Sequence, residues 1–462
     1  MTLAVHNPAT GETIDVVRTF DVEDIPTVVA FADTGQRQWA RVPPRERSEI
    51  LRACWQAMLD HEDELAALIT AENGKPIADG HAEVKYAAEF FRWNSEEAVR
   101  LDGEVGSLPN GSGRKIVLRQ PIGVVLAVTP WNFPAAMLTR KLAPALAAGC
   151  SVIAKPASLT PITAVRLASI FKDTGLPADV FQVIPTTNTS GVVKACLDQD
   201  AVRKLSFTGS TPVGATLIEQ AAPRVVSCAM ELGGNAPFLV LGDADVDAAI
   251  EAALVAKLRH NSQTCTAANR FYVAEPLVEA FTDALVAHFE KLTVGDGSDP
   301  ATDVGPLIDD KSRKKVDELV RSALDAGATA AVGGKVLDDR PGTFYAPTVL
   351  TGLAPDNPIL REEIFGPVAP IVAVPDDDDR MLELANDCDV GLAGYVAGGD
   401  FARCLSVAER LEVGMVGVNR GIVSDPSTPF GGVKGSGIGR EGGHEGVLEY
   451  TEAKLIATEW TR

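Results

Sequence analysis

Apolar and polar positions divide the chain into segments of two different periods. After Pro43-Pro44, residues Ile50, Leu51, Cys54 and Met58 fall at i, i+1, i+4 and i+8. Leu65, Leu68 and Ile69 continue that stripe up to a stop signal at Asn73-Gly74. This is the spacing of one helical face, so residues 1–100 are predicted to be mainly helical. Gly103, Gly106, Pro109, Gly111 and Gly113 then break any period and predict a turn-rich excursion over 101–114, before a strand at 115–119. Beyond Pro121 the pattern changes. Short apolar runs at 123–128, 151–154, 180–184 and 204–207 alternate with helical stretches, one running to Gly149, one after Pro161 and a short one at 192–197. Runs this apolar, with helices between them, are strands buried on both faces of a parallel sheet. A second alternating region spans 236–418, with a strand at 238–241 and helices at 246–258 and 277–292. The expected class is α/β with two Rossmann-type parallel-sheet domains.

Length agrees with that division, because 462 residues exceed the roughly 250–300 at which a single core stops growing. Acidic residues outnumber basic ones by 63 to 42, a net charge of −21. That balance argues against a nucleic-acid partner, which needs a basic face. An anionic substrate must then be caught locally, by particular Arg or Lys residues, against the overall field. The run Asp376-Asp377-Asp378-Asp379 reads as a solvated turn or helix start. Seven scattered cysteines, with no CxxC and no metal-ligand spacing, read as reduced thiols and imply no metal. The N-terminus lacks the features of a signal peptide, and no run approaches the roughly 18 apolar residues of a membrane span. The expected setting is the cytoplasm, without a membrane partner.

Four segments carry candidate chemistry. Thr129-Pro130-Trp131-Asn132-Phe133-Pro134 follows a buried strand. Taken alone, a loop with a packed Trp accounts for it; the sharper reading has the Asn132 amide donating into a cleft. Phe207-Thr208-Gly209-Ser210-Thr211-Pro212-Val213-Gly214 leads from a strand into a helix, where free N–H groups can face a pyrophosphate. Glu231-Leu232-Gly233-Gly234-Asn235 puts a carboxylate at the seam of the two regions, as a base or as a satisfied surface group. Gln263-Thr264-Cys265-Thr266 sets one Cys among polar residues, unlike several of the others, and a nucleophilic Cys needs such access. Gly437-Ile438-Gly439-Arg440-Glu441-Gly442 matches GxGxxG but has no βαβ context, and is read as a turn.

In this order and spacing, and with Glu362-Glu363-Ile364-Phe365-Gly366-Pro367 and Pro429-Phe430-Gly431-Gly432-Val433-Lys434, the segments resemble the aldehyde dehydrogenase superfamily over nearly the whole chain. The resemblance implies Cys265 as nucleophile, Asn132 and the Cys265 N–H as oxyanion hole, and Glu231 as general base. It assigns Trp131, Lys155, Ser158, Gly191, Gly209, Ser210, Leu232, Glu363 and Phe365 to the cofactor. It further implies a cofactor-binding domain from 1–100 and 121–232, a catalytic domain from 233–435, and a small β oligomerisation element from 101–120 and 436–462 that makes a homo-oligomer.

Residues 129–141 are similar to those of the subgroup that oxidises succinate semialdehyde. A substrate ending in a carboxylate suits a guanidinium fork. By resemblance Arg140 and Arg259 clamp it, with Ser424 as a third contact. Glutarate semialdehyde and broad aliphatic aldehydes are the alternatives, and a cysteine hydrolase pairing Cys265 with His260 is the rival from another class. Family members selective for NAD often carry Glu where Ser158 stands; Ser158 beside Lys155 therefore implies a preference for NADP, with NAD possible. Two departures stand out. Ser262 occupies the usual Gly of the family's Asn-x-Gly-Gln-x-Cys if the alignment is ungapped, whereas a one-residue deletion would move Arg259 out of register. Ala267 replaces the second Cys of some relatives, so no local disulfide switch is expected.

Overall fold

The computed structural model describes residues 1–459; residues 460–462 of the expected oligomerisation element lie outside the described residues. The N-terminal part holds the helices α1 (Ile25–Trp39), α2 (Pro44–Asp60), α3 (Glu62–Asn73) and α4 (Ile77–Glu97). Helix α3 stops where Gly74 turns left-handed at φ +87, as Asn73-Gly74 predicts. The mainly helical expectation holds, and an antiparallel hairpin, Thr2–His6 with Thr13–Arg18, precedes the helices. Its signal in the sequence is faint, because only Val5 and Val17 are fully buried, against Ile162, with Leu3 and Ile14 half-buried beside them.

Six strands form the first sheet, in the order Gly437–Ile438, Ser227–Glu231, Val202–Thr208, Val124–Val128, Ser151–Lys155, Phe181–Val183. All neighbours run parallel except the short first strand. Val124–Val128 and Ser151–Lys155 are buried at every position, which explains their unbroken apolar runs. Helix α5 (Ala136–Ala148) leaves the Val124–Val128 strand through the Trp131 loop, is buried along its whole length, and packs on α4. Seven strands form the second sheet, in the order Thr329–Val332, Thr348–Thr351, Val368–Val374, Ala268–Ala274, Ala236–Val240, Ala393–Ala397, Met415–Val418. Only its first strand is antiparallel. The helix expected at 246–258 is present as Val246–Leu258, and the one expected at 277–292 as Val278–Phe289.

A third sheet is antiparallel and three-stranded, with Thr451–Thr458 and Glu104–Ser107 flanking Arg114–Pro121. The glycine-rich excursion thus contains a strand, Glu104–Ser107, held by backbone pairing that leaves no apolar alternation. Gly437–Ile438 likewise begins as a strand against Met230 and Glu231 rather than as a turn, and the chain turns only at Gly439, φ +87. Within the acidic run, Asp377 caps the helix Asp378–Asn386 by accepting from the Asp379 and Arg380 N–H groups.

Candidate active site

The Cys265 segment is reached through a strained turn. After the helix Val246–Leu258, three consecutive residues adopt left-handed backbone: His260, Asn261 and Ser262, with φ of 53, 56 and 60. For residues with a Cβ this costs ~1–2 kcal/mol each, so the surroundings must impose it. Asn261 supplies part of that hold: its Oδ1 accepts from Gly305 N at 2.7 Å and its Nδ2 donates to Pro306 O at 3.2 Å. Gln263 Oε1 accepts from Ile308 N at 2.9 Å. Ser262 therefore takes a conformation that glycine adopts freely, at the place where the ungapped alignment puts the family's glycine.

Cys265 follows and is partly exposed in a cavity of about 260 Å³. Trp131, Asn132, Arg140, Arg259, Ser424 and Phe430 line this cavity with it. Burial pushes the thiol up to about 12, the Glu363 and Glu231 carboxylates add to the shift, and Arg140 opposes it. The sulfur therefore rests as a thiol, and service as a nucleophile would require a base. Asn132 is buried, and its Nδ2 donates to the Gln263 carbonyl at 2.8 Å. An amide nitrogen carries two hydrogens, so one N–H remains for a developing oxyanion. His260 does not line the cavity. Its ring lies 4.1 Å from that of Phe133, centroid to centroid, and its Nδ1 is unpartnered. The Cys265–His260 pairing that a hydrolase would use is thus not assembled.

Glu231 is the last residue of its strand and is buried, with Oε2 unpartnered. Burial raises its carboxyl well above the usual range and Glu441 raises it further, against Lys141, Arg140 and Arg440. The lining of the cavity around Cys265 does not include it. Glu441 is itself bound by Lys141 Nζ at 2.5 Å.

Arg140 and Arg259 present different guanidinium groups to the same cavity. Arg140, buried on α5, donates to the Tyr86 hydroxyl and, at 3.0 Å, to Ser424 Oγ; its Nη1 lies 3.8 Å from Glu441. Tyr86 and Ser424 are also hydrogen-bonded to each other. Arg259 is half-buried, and no hydrogen bond or ion pair engages it among the described residues; its guanidinium carbon lies 5.8 Å from the centre of the Phe133 ring. Tyr86 escaped the sequence reading: it lies on α4, and only the packing of α4 on α5 brings it to Arg140.

The cofactor candidates divide between this cavity and its surroundings. Trp131, Gly209, Ser210, Leu232, Glu363 and Phe365 line the cavity. The Trp131 and Phe365 rings meet edge-on, with centroids 5.6 Å apart. A Cβ on Gly209 would come within 2.4 Å of the Phe207 ring, so the Thr208-Gly209-Ser210 turn needs glycine to pass that ring. Glu363, raised to about 7 by burial, accepts from Gly234 N at 3.2 Å. Lys155 ends its strand elsewhere, with Nζ 3.3 Å from Thr189 Oγ1, and burial lowers it to about 8. Gly191 lies in the first turn of Thr189–Leu197, bonded to the Asn188 cap. Ser158 is exposed on a separate groove with His6, Asn7, Asp309 and Thr343.

Residues 1–456 match the Aldehyde dehydrogenase family. The chain belongs to the aldehyde dehydrogenase family. It is 48% identical to the succinate-semialdehyde dehydrogenase of Paenarthrobacter nicotinovorans, over 94% of this chain and 96% of that one. The glutarate-semialdehyde dehydrogenase of Pseudomonas putida KT2440 is 43% identical, over 98% and 94%. The fold matches the crystal structure of an E. coli NADP dependent enzyme at TM-score 0.97 and 42% identity, over 100% of this chain and 95% of that one.

In this aldehyde dehydrogenase the motif residues Asn132, Cys265, Gly209 and Glu363 come from both large sheets and converge on one cavity. No helix among the described residues is long and apolar enough to cross a membrane. No cluster of His, Cys, Asp and Glu among them is suited to hold a metal ion.

Proposed function

We propose that this enzyme oxidises succinate semialdehyde to succinate, with NADP preferred and NAD accepted. The observation that carries the proposal is the shared lining of one cavity by Cys265, Asn132 and two guanidinium groups, Arg140 and Arg259. In this reading Cys265 passes its proton through water to the solvent and, as the thiolate, attacks the aldehyde carbon. The second Asn132 N–H and the Cys265 backbone N–H hold the resulting oxyanion. Arg259 and the Arg140–Ser424 pair hold the far carboxylate, which fixes the aldehyde against the sulfur. Trp131, Leu232, Glu363 and Phe365 would hold a nicotinamide ring there, and that group would supply the hydride acceptor this oxidation needs. Glu231 then takes a proton from the water that hydrolyses the Cys265 thioester and releases the acid.

The residues assigned to the cofactor fit an anionic dinucleotide. Lys155 is a buried ammonium with only a hydroxyl as hydrogen-bond partner, the kind of group an added anion satisfies. The N–H groups at the start of the helix Thr211–Ala221, behind Gly209 and Ser210, suit a pyrophosphate. Trp131, Leu232, Glu363 and Phe365 would hold the nicotinamide half, and Gly191 and Ser158 the adenosine half. Ser158 in place of a carboxylate leaves a 2′-phosphate unopposed.

Steady-state kinetics over aldehydes of graded length and charge, run with each cofactor, tests the proposal. Succinate semialdehyde should give the highest kcat/KM, together with an acyl adduct on Cys265 by mass spectrometry. An uncharged aldehyde used equally well, or no adduct during turnover, overturns it. Glutarate semialdehyde, one methylene longer, is the second reading, and identity to an enzyme acting on it favours including it.

The domain assignment follows the same reading: 1–100 with 121–232 for the cofactor, 233–435 for catalysis, and 101–120 with 436–462 for assembly. The three-stranded sheet supports a second copy as partner, because Val105, Leu118, Leu455 and Ile456 leave apolar side chains exposed on it. Seven free cysteines suit the reducing cytoplasm.

A further inference from the structure

The start of helix α4 carries a buried charge cluster that touches both halves of the oxyanion site without touching the cavity. Lys75 is fully buried just before α4, and its Nζ lies 2.5 Å from Glu83 Oε2. The same Nζ donates to the Asn132 carbonyl at 2.6 Å and lies 4.5 Å from the centre of the Phe133 ring. The other Glu83 oxygen accepts from Ala135 N at 2.9 Å and Ala136 N at 3.2 Å, where α5 begins. One ion pair thus grips the Asn132 loop on both sides of Phe133-Pro134. Asp79 lies four residues before Glu83, on the same face of α4. Its Oδ2 accepts from His260 N at 2.9 Å, across 181 residues of chain. His260 is the first of the three left-handed residues, and that turn delivers Gln263, whose carbonyl receives the Asn132 amide.

We infer that Lys75, Asp79 and Glu83 act as a positioning strut that sets the Asn132 amide against Cys265. The inference rests on the oxyanion-hole reading given above. A full ion pair in the interior is costly to desolvate, and an apolar pair of similar volume commonly stabilises a fold as well or better. What an apolar pair lacks is directed bonds. Here every directed bond that leaves the cluster ends on backbone of the Asn132 loop, of the start of α5 behind it, or of the His260 turn. The left-handed turn adds to the argument, because a strained segment holds its place only while its N–H and side-chain bonds persist. An error of about 1 Å in such a constellation costs on the order of 10²-fold in rate.

Lys75→Met should therefore slow acylation of Cys265 about 10²-fold, measured as the single-turnover burst of reduced cofactor with succinate semialdehyde. KM for the aldehyde and the dissociation constant of NADP should stay near wild type. Alkylation of Cys265 by iodoacetamide, which needs no oxyanion hole, should be unchanged. The decisive comparison is made in the Asn132→Ala background, where Lys75→Met should cost little more, because a residue acting through Asn132 has nothing left to place. A cost as large in that background as in wild type overturns the strut, as does full-rate acylation by folded Lys75→Met beside an impaired Asn132→Ala. Normal acylation by Asn132→Ala refutes the oxyanion-hole reading itself. Should Lys75→Met fail to fold, Asp79 decides. Asp79→Ala should slow acylation about 10-fold, while Asp79→Asn, which keeps an acceptor for His260 N, should restore it; equal rates for both variants overturn the proposal.

Discussion

The guanidinium carbon of Arg140 lies 4.0 Å from the centre of the Phe430 ring. Stacking on an aromatic face fixes the plane of the fork and leaves its N–H edge for ligands, which a lysine ammonium cannot reproduce. Arg140 is already engaged by Tyr86, Ser424 and Glu441, whereas Arg259 has no ion pair among the described residues. The two cations of the proposed clamp thus differ in kind: one is built into the wall and the other is free to follow a substrate.

That difference separates two variants. Arg259→Ala should raise KM for succinate semialdehyde on the order of 10–100-fold, the worth of one or two charge-assisted hydrogen bonds. An uncharged aldehyde of the same length should be unaffected. Arg140→Lys should impair both substrates, because it also unstacks Phe430 and alters the field at Glu231. Equal KM changes for charged and uncharged aldehydes in Arg259→Ala would remove that residue from the clamp.

As the proposed general base, Glu231 predicts the pH dependence of deacylation. A general base acts as the carboxylate, which is populated above its pKa. Burial and Glu441 raise that pKa. The rising limb of kcat should therefore lie above the ordinary carboxylate range of about 4–5. Glu231→Gln should keep the burst of reduced cofactor, accumulate the thioester, and lower steady-state kcat by ~10²–10⁴-fold. Loss of the burst would assign Glu231 to thiol activation instead.

Cofactor choice is tested at Ser158. Ser158→Glu should shift the ratio of kcat/KM for NADP over NAD towards NAD, because a carboxylate repels a 2′-phosphate and accepts from ribose hydroxyls. Titration of cofactor binding by protein fluorescence gives the same ratio without turnover. An unchanged ratio would place the discrimination elsewhere in the site.

Assembly is tested on the three-stranded sheet. Leu455 is 63% exposed on Thr451–Thr458, and this edge strand has one side unpaired. Leu455→Glu should reduce the oligomer measured by light scattering after size exclusion, with little change in the far-UV circular dichroism of the subunit. An unaltered mass would remove this sheet from the interface.

Where spacing along the chain carries the signal, the sequence was legible. The strand that leads to Asn132, the strand–Gly209–helix junction and the helix Val246–Leu258 all lie where periodicity puts them. The hairpin at the N-terminus and the strand Glu104–Ser107 were not legible, because backbone pairing holds them and few of their side chains turn inward. The Ser262 departure shows the boundary well. Its place in the motif is visible in the sequence, but whether a serine can stand there depends on a φ of +60 maintained by neighbours from residues 305 to 308.

By itself the sequence determined which chemical groups this enzyme has and which local elements carry them: a thiol after a polar turn, an amide at a strand end, a glycine before a helix. These follow from residue type and from periods of two or 3.6, which act over a few residues. Only the tertiary structure decided which guanidinium is free, that Tyr86 joins Arg140, and that Asn132 is tied to Gln263 and braced from α4. Those contacts join residues 54, 131 and 57 positions apart. Their energies depend on burial and on directed bonds between elements, neither of which exists until the sheets and helices have packed.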